Sequence, residues 1–262
     1  VTFFLELIMF AHERHQRLTE LLHARGTLAV ASLPRLLRAS PATVRRDLEH
    51  LERIGRVVRT HGGVSHPDAL PGEADFSRRA RAAMPAKLAI AGAAAALVPD
   101  GATVFVDAGT TALEAGRRLL ERAGLTLVTH SVPLLAGPHD GRSRLIAIGG
   151  ELRGVSRAFV GGLALSWLRS LRFDYAILAA SGLDPAEGAS TTELLEAAVK
   201  QEVVARARHT VLVADASKWA RPAAVRFAGW EDIGDFVTDH RLTRAEAALL
   251  ARAGTAVHQV RR

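Results

Sequence analysis

From Lys87 onward, short runs rich in β-branched residues alternate with helical stretches, and this alternation constrains the fold more than any other feature of the chain. The runs fall at 103–106, 125–129, 145–148, 175–179, 210–214, 236–238 and 256–260. Stretches of Ala, Leu and Arg character at 111–122, 192–208 and 243–253 lie between them. Parallel strands cannot be joined by tight turns, so strand–helix–strand repetition predicts an α/β domain around a mainly parallel sheet. Hydrophobic residues make up 48% of the chain and aromatics only 5%, so the core must come mainly from Ala, Leu and Val.

Residues 10–66 have a different texture. From Arg14 to Gly26, Leu18, Leu21 and Leu22 share one helical face and Gly26 stops the helix. A second helix fits 33–37, with Ser32 as N-cap and Pro34 in the first turn. Ser40 then caps a third helix with Pro41 at its first position. Val44, Leu48 and Leu51 recur at i, i+4 and i+7 to pack on the first two helices, while Arg45, Arg46, Glu49 and Arg53 point elsewhere. Gly55 ends this helix, and Val57-Val58-Arg59 reads as a short strand before His61-Gly62-Gly63. Three short helices followed by a strand ribbon describe a winged helix-turn-helix.

That module has the chemistry to read DNA. The N-terminal end of such a recognition helix reaches base edges, and here it offers Ser40, Pro41, Ala42, Thr43, Arg45 and Arg46. Arginine pairs bidentately with guanine, worth ~1–3 kcal/mol of discrimination. Arg56, Arg59 and His61 on the wing are expected to follow the phosphate backbone or enter the minor groove. Residues 1–66 hold 10 arginines against 6 acids, and the other 196 residues share only +3 of the net +7. The excess is therefore where phosphate contact would need it. Arg45-Arg46 alone would read as a solvated basic face; the capped start, the preceding helix and the ribbon in register favour DNA.

Other chemistries are excluded or unsupported. The absence of cysteine removes disulfides, thiolate metal sites and cysteine nucleophiles. No HExxH pair occurs among the 11 histidines, and His12 and His15 read as part of a solvated face. No metal or cofactor is expected. The opening apolar segment is too short to span a bilayer and carries Glu6. No membrane or secretory role is expected, and residues 1–8 are expected to be a leader ahead of Met9.

In the second domain, Asp107-Ala108-Gly109-Thr110-Thr111 follows a predicted strand and opens a helix, a geometry that favours an anion. Companions stand at other predicted strand ends: Thr129-His130-Ser131, Gly149-Gly150 with Arg153, Ser181-Gly182, and Asp215-Ala216-Ser217-Lys218. Ligands collect at the carboxyl ends of parallel strands. Only three of the 34 basic residues are lysine, Lys87, Lys200 and Lys218, which suggests positions needing a compact ammonium. Lys200 lies four residues after Glu196 and reads equally well as half of a surface pair.

Together, Thr43-Val44-Arg45-Arg46-Asp47-Leu48 and His61-Gly62-Gly63 resemble the TIRRDL-like helix and HGG turn of the DeoR family of bacterial transcriptional regulators. The resemblance continues through Asp239. It implies a winged helix-turn-helix at 10–66, a linker at 67–86, and a sensor and oligomerisation domain at 87–262 related in fold to ribose-5-phosphate isomerase. It implies a cytoplasmic, nucleoid-associated repressor that binds operator DNA as a homo-oligomer and is relieved by a phosphorylated sugar. Asp107, Gly109, Thr110 and Thr111 would cradle the phosphate, supported by Lys218 and Arg153. Asp107, Glu196 and Asp215 would receive sugar hydroxyls. The chain departs from the family where Thr-Asn usually stands, having Thr129-His130. The alternative is a sugar-phosphate isomerase-like enzyme; Ser181-Gly182-Leu183-Asp184 lacks the first carboxylate of the isomerases' Asp-Gly-Ala-Asp, although Glu196 remains.

Overall fold

The structure, a computed structural model, describes residues 10–25, 27–53, 57–60, 63–65 and 76–261. The opening segment through Met9 lies outside the described residues, as do Arg56 and His61. The chain divides into two compact units, Val1–Ala74 and Asp75–Arg262.

In the first unit, α1 (Ala11–Arg25) is followed by β1 (Thr27–Ala29), α2 (Leu33–Leu36), α3 (Pro41–Arg53), β2 (Val58–Thr60) and β3 (Gly63–Ser65). The strands form an antiparallel sheet in the order β1-β3-β2, the wing of a winged helix-turn-helix. Leu18 and Leu22 of α1, Leu33 and Leu37 around α2, and Val44, Leu48 and Leu51 of α3 are buried together, with Val64 of the wing. Ser40 does cap α3, its Oγ accepting from the Thr43 amide at 3.1 Å. Ser32 does not cap α2; its hydroxyl turns back and donates to Ala29 O at 2.7 Å.

One charged residue of α3 belongs to the core. Asp47 is only 6% exposed. It accepts from Arg14 Nε at 2.8 Å and Nη2 at 3.2 Å, and lies 2.8 Å from His15 Nε2. His15, expected on a solvated face, thus joins an ion network that ties α1 to α3. Burial alone would raise the Asp47 carboxyl, but the hydrogen bonds and charges of Arg14 and His15 outweigh it and hold it below the usual carboxylate range. A depressed folded value gives stability that is complete above the unfolded carboxylate value of about 4 and disappears as pH falls through the folded one. Asp47→Ala should therefore cost the first unit about 3 kcal/mol at neutral pH, since it removes the buried carboxylate that joins α1 to α3. Urea unfolding at pH 7 and at pH 3 checks both statements: the gap between wild type and variant should shrink in acid.

The second unit opens with α4 (Phe76–Arg81) and α5 (Met84–Ala96). Residues 76–86 are therefore not linker. Phe76 is 5% exposed within the hydrophobic core, and its amide donates to Val155 O at 2.9 Å. Next come β4 (Thr103–Val106), α6 (Thr110–Leu120), β5 (Thr126–Thr129), α7 (Val132–Leu135), β6 (Arg144–Ala147) and a hairpin of β7 (Glu151–Arg153) and β8 (Ala158–Val160). Then follow α8 (Gly162–Arg169), β9 (Phe173–Ala179), β10 (Gly182–Asp184), β11 (Gly188–Thr191), α9 (Leu194–Arg206) and β12 (Ala207–Val213). The chain closes with β13 (Val225–Ala228), β14 (Asp235–Thr238), α10 (Arg244–Ala253) and β15 (Ala256–Gln259).

Seven strands form one sheet in the order β15-β14-β12-β9-β4-β5-β6, and every neighbouring pair is parallel. They are the seven runs read from the sequence. Apolar residues fill both faces, as a parallel sheet covered by helices requires: Phe105, Leu178 and Leu212 belong to one core cluster, Val104, Ile177 and Val211 to the other. From β4 the chain runs outward through β5 and β6, then returns to β9 on the other side of β4 and proceeds through β12 and β14 to β15. The order reverses between β4 and β9, which makes a crevice at their carboxyl ends. Among the described residues no helix is long and apolar enough to cross a membrane.

Candidate functional site

On the first unit, Ser40, Pro41, Ala42, Arg45 and Arg46 are exposed and Thr43 is half-buried. The apolar side of α3 is consumed by the core, so these residues face outward by the helical period alone. Arg45 Nε donates to Glu49 Oε1 at 3.1 Å along the exposed face. Arg59 does not reach outward from the wing as expected. Its Nη2 donates to Arg45 O at 3.1 Å and its Nε lies 3.4 Å from Glu52, because β2 returns alongside α3. It is a strut between wing and recognition helix.

On the second unit, the crevice at the β4/β9 switch is built around Asp107, which is 1% exposed. Its Oδ2 accepts from the Ala179 amide at 2.9 Å and from Lys200 Nζ, and its Oδ1 lies 3.0 Å from His130 Nε2. Lys200 also donates to Ala179 O at 2.9 Å and sits 5.2 Å above the Phe227 ring. Burial works against the Asp107 charge, yet the Lys200 ammonium and the His130 hydrogen bond outweigh it and hold the carboxyl well below the usual range. With its oxygens engaged, Asp107 braces the loop and does not open toward a sugar hydroxyl. The sequence also allowed a surface Glu196–Lys200 pair; instead Lys200 is buried against Asp107, and Glu196 binds Arg153.

His130 is 1% exposed. Its Nδ1 is 2.8 Å from Phe159 O, which can only accept, so that nitrogen carries a hydrogen. Its Nε2 lies within reach of both Asp107 Oδ1 and the Ala108 amide, at 3.0 and 3.2 Å; a protonated Nε2 donates to the carboxylate and a bare one accepts from the amide, so it serves one of the two at a time. The Thr129 hydroxyl donates to Val106 O at 2.7 Å and accepts from the Ser131 amide at 3.1 Å. Thr129 and Ser131 are both fully buried, so they support the loop from beneath.

The loop delivers Thr110 and Thr111 to the first turn of α6, where both are largely buried. Gly109 occupies the N-cap without a side-chain acceptor, so the first amides of α6 keep their donor capacity. Only glycine fits: a Cβ at Gly109 would lie 2.2 Å from Ala179 Cβ on the neighbouring strand. Gly109→Ala should push the loop off β9, cost about 1–3 kcal/mol by overpacking, and abolish any response to an anion at this turn. Calorimetry and thermal unfolding with and without anion check it.

Around this centre stand the other strand ends. Gly150 passes close beneath β8, where an added Cβ would lie 2.5 Å from Val160 O; Gly149 beside it has open space. Arg153 Nη1 donates to Glu196 Oε1 at 2.9 Å, and Glu196 Oε2 accepts from the Thr191 hydroxyl at 3.3 Å. Asp215 Oδ1 accepts from the Ser217 amide at 2.9 Å, which turns the chain so that Lys218 sits half-buried at the end of β12. Lys87, 4% exposed, donates to Arg79 O. Burial pushes Lys87 down to about 8; Asp215 opposes that and Lys218 reinforces it, which places all three in one neighbourhood. All three lysines of the chain thus take part in the crevice and its surroundings. Among the described residues no group of three His, Cys, Asp or Glu could hold a metal ion.

A winged helix-turn-helix with an outward arginine pair, joined to an α/β unit with a switch-point site of paired charges, fits a DNA-binding regulator that carries a sensor. Residues 14–69 match the DeoR-like helix-turn-helix domain, and residues 83–240 match the DeoR C-terminal sensor domain. The chain belongs to the DeoR family of transcriptional regulators. It is 34% identical to the HTH-type transcriptional regulator GlpR of Haloferax volcanii, over 95% of this chain and 98% of that one. It is 33% identical to the transcriptional repressor AccR of Agrobacterium fabrum (87% and 89% covered) and 30% identical to the glycerol-3-phosphate regulon repressor of Escherichia coli (87% and 90%). Among solved structures, ribose 5-phosphate isomerase A from Methanocaldococcus jannaschii aligns over 51% of this chain and 53% of its own, at 20% identity and a TM-score of 0.34. The family and these named relatives are transcriptional regulators, and the matches give the isomerase alternative no support.

Proposed function

We propose that the protein represses a sugar-metabolism operon and leaves its operator when a phosphorylated sugar occupies the crevice. The observation that carries the sensor half is the uncapped first turn of α6, held beside the buried Asp107–His130–Lys200 cluster. Helix N-termini attract phosphate through free amides and the helix dipole. The amides and hydroxyls of Thr110 and Thr111 would take the phosphate, with Lys218 and Arg153 supplying charge. Glu196, bonded to Arg153, and Asp215, which opens the turn that carries Lys218, would receive sugar hydroxyls. The relative named for the glycerol-3-phosphate regulon supports an effector of this class.

The DNA-binding domain would be residues 10–66, with the sensor beginning at α4. Ser40 to Thr43, Arg45 and Arg46 would face the operator. The protein would act on the chromosome in the cytoplasm, as an oligomer, since paired half-sites demand paired recognition helices. A thermal-shift screen of sugar phosphates against the full-length protein tests the sensor reading. An effector at 100 times its Kd should stabilise by about 2.7 kcal/mol, and Gly109→Ala should remove that shift. If no sugar phosphate moves the transition, the sensor reading is wrong.

A further inference from the structure

Nine large hydrophobic side chains are exposed among the described residues, and four of them lie on two adjacent helices. Leu163 (70% exposed) and Trp167 (61%) are on α8; Leu194 (71%) and Leu195 (38%) open α9. These helices lead into β9 and β12, which pair in parallel from Phe173↔Ala207 onward, so α8 and α9 run in the same direction. Arg169 Nε reaches Glu202 Oε2 at 3.4 Å near their carboxyl ends. Six residues earlier on each helix, Leu163 comes level with the first turns of α9. Leu163 and Trp167 share a face at i and i+4. Exposed Ser166 and Ser170 border it on α8, and exposed Gln201 borders it on α9.

We propose that this α8–α9 face is the contact with a second copy of this chain, related by a two-fold axis. The proposal rests on the oligomeric reading given above and names the surface responsible. Two observations select a second copy as the occupant. The first is area. The four side chains expose on the order of 450 Å² per copy, the size of the largest patches on monomers. Two copies with their polar borders approach the roughly 1,000 Å² that a specific interface needs.

The second is charge. The chain carries a net +7, of which +3 lies beyond residue 66, so a face of this unit with surplus cation would resist its own image. This rim is balanced: Arg169 and Arg206 pair with Glu202, and Arg153 pairs with Glu196 and Glu193. A rim without surplus cation does not favour nucleic acid, and it removes the like-charge penalty of meeting its own image. The Arg153–Glu196 pair also lines the crevice, so the interface and the effector site share a wall.

Sedimentation equilibrium of the full-length protein tests this, with Leu163→Glu and Trp167→Glu as disrupting variants and Leu249→Glu on α10 as a control. Each disrupting variant should raise the dissociation constant at least about tenfold, because a two-fold axis brings two carboxylates into one apolar contact. The control should associate like wild type, and all melting curves of the separated monomers should coincide. If wild type and both variants stay equally associated, this surface is wrong and the oligomeric reading stands. A wild type that is monomeric throughout overturns both. A monomeric wild type destabilised by Trp167→Glu assigns the face to a segment of the same chain and overturns the proposal.

Discussion

Replacing Asp107 with alanine should destabilise the sensor unit by about 3–5 kcal/mol, because a buried ammonium loses its counter-ion. Lys200 is 5% exposed, and its ammonium is held by Asp107 and by Ala179 O of β9. The same substitution orphans the Ala179 amide and one contact of His130, so the switch-point loop loses its anchor on two neighbouring strands. Asp107→Asn separates the contributions. It keeps the shape and an acceptor for Ala179 but removes the charge, so it should fall between wild type and alanine. Asp107→Ala combined with Lys200→Met should recover part of the loss, since no buried charge is left unpaired. Denaturant titration measures all four proteins. Wild-type stability in Asp107→Ala would show that the pair is not buried as described.

Arg45→Ala/Arg46→Ala should abolish operator recognition while leaving the first unit folded. Both side chains are exposed, and the core of that unit draws on the opposite face of α3. If each arginine supplies ~1–3 kcal/mol of base discrimination, the pair is worth roughly 2–6 kcal/mol, at least about thirtyfold in affinity. Salt dependence sorts their roles. An arginine on phosphate lowers the slope of log K against log salt by about one when removed, whereas one on a base edge relaxes specificity instead. Operator binding retained by the double variant would move the recognition surface off α3.

Much of this was readable in the sequence where local chemistry decides structure. The seven sheet strands are short β-branched runs with breakers between them, and burial on both faces leaves their apolar character unmistakable. The hairpins β7–β8 and β10–β11 were not legible, because strands of three or four residues with glycine and charge among them carry no periodic signal. In the site, lysine scarcity marked Lys87, Lys200 and Lys218, but not the direction of Lys200. An i,i+4 spacing from Glu196 looks like a solvated pair until α9 is laid against β9 and Phe227. Asp47 shows the same limit. Within α3 it is one acid among several, and only the arrival of Arg14 and His15 from α1 buries it. Arg59 faced the same ambiguity, since the return of β2 along α3 is a tertiary event.

In the proposed switch, occupancy of the crevice controls the grip of α3 on DNA. Such coupling requires an effector that binds the two states with different affinity, typically by 1–3 kcal/mol. Titrating the full-length protein onto DNA from upstream of its own gene, with and without the sugar phosphate that gives the largest thermal shift, tests it most directly. Binding should be tight without the ligand, weakened about 5- to 150-fold when it is saturating, and not weakened in Gly109→Ala. Operator affinity unchanged by a ligand that demonstrably occupies the crevice would contradict it.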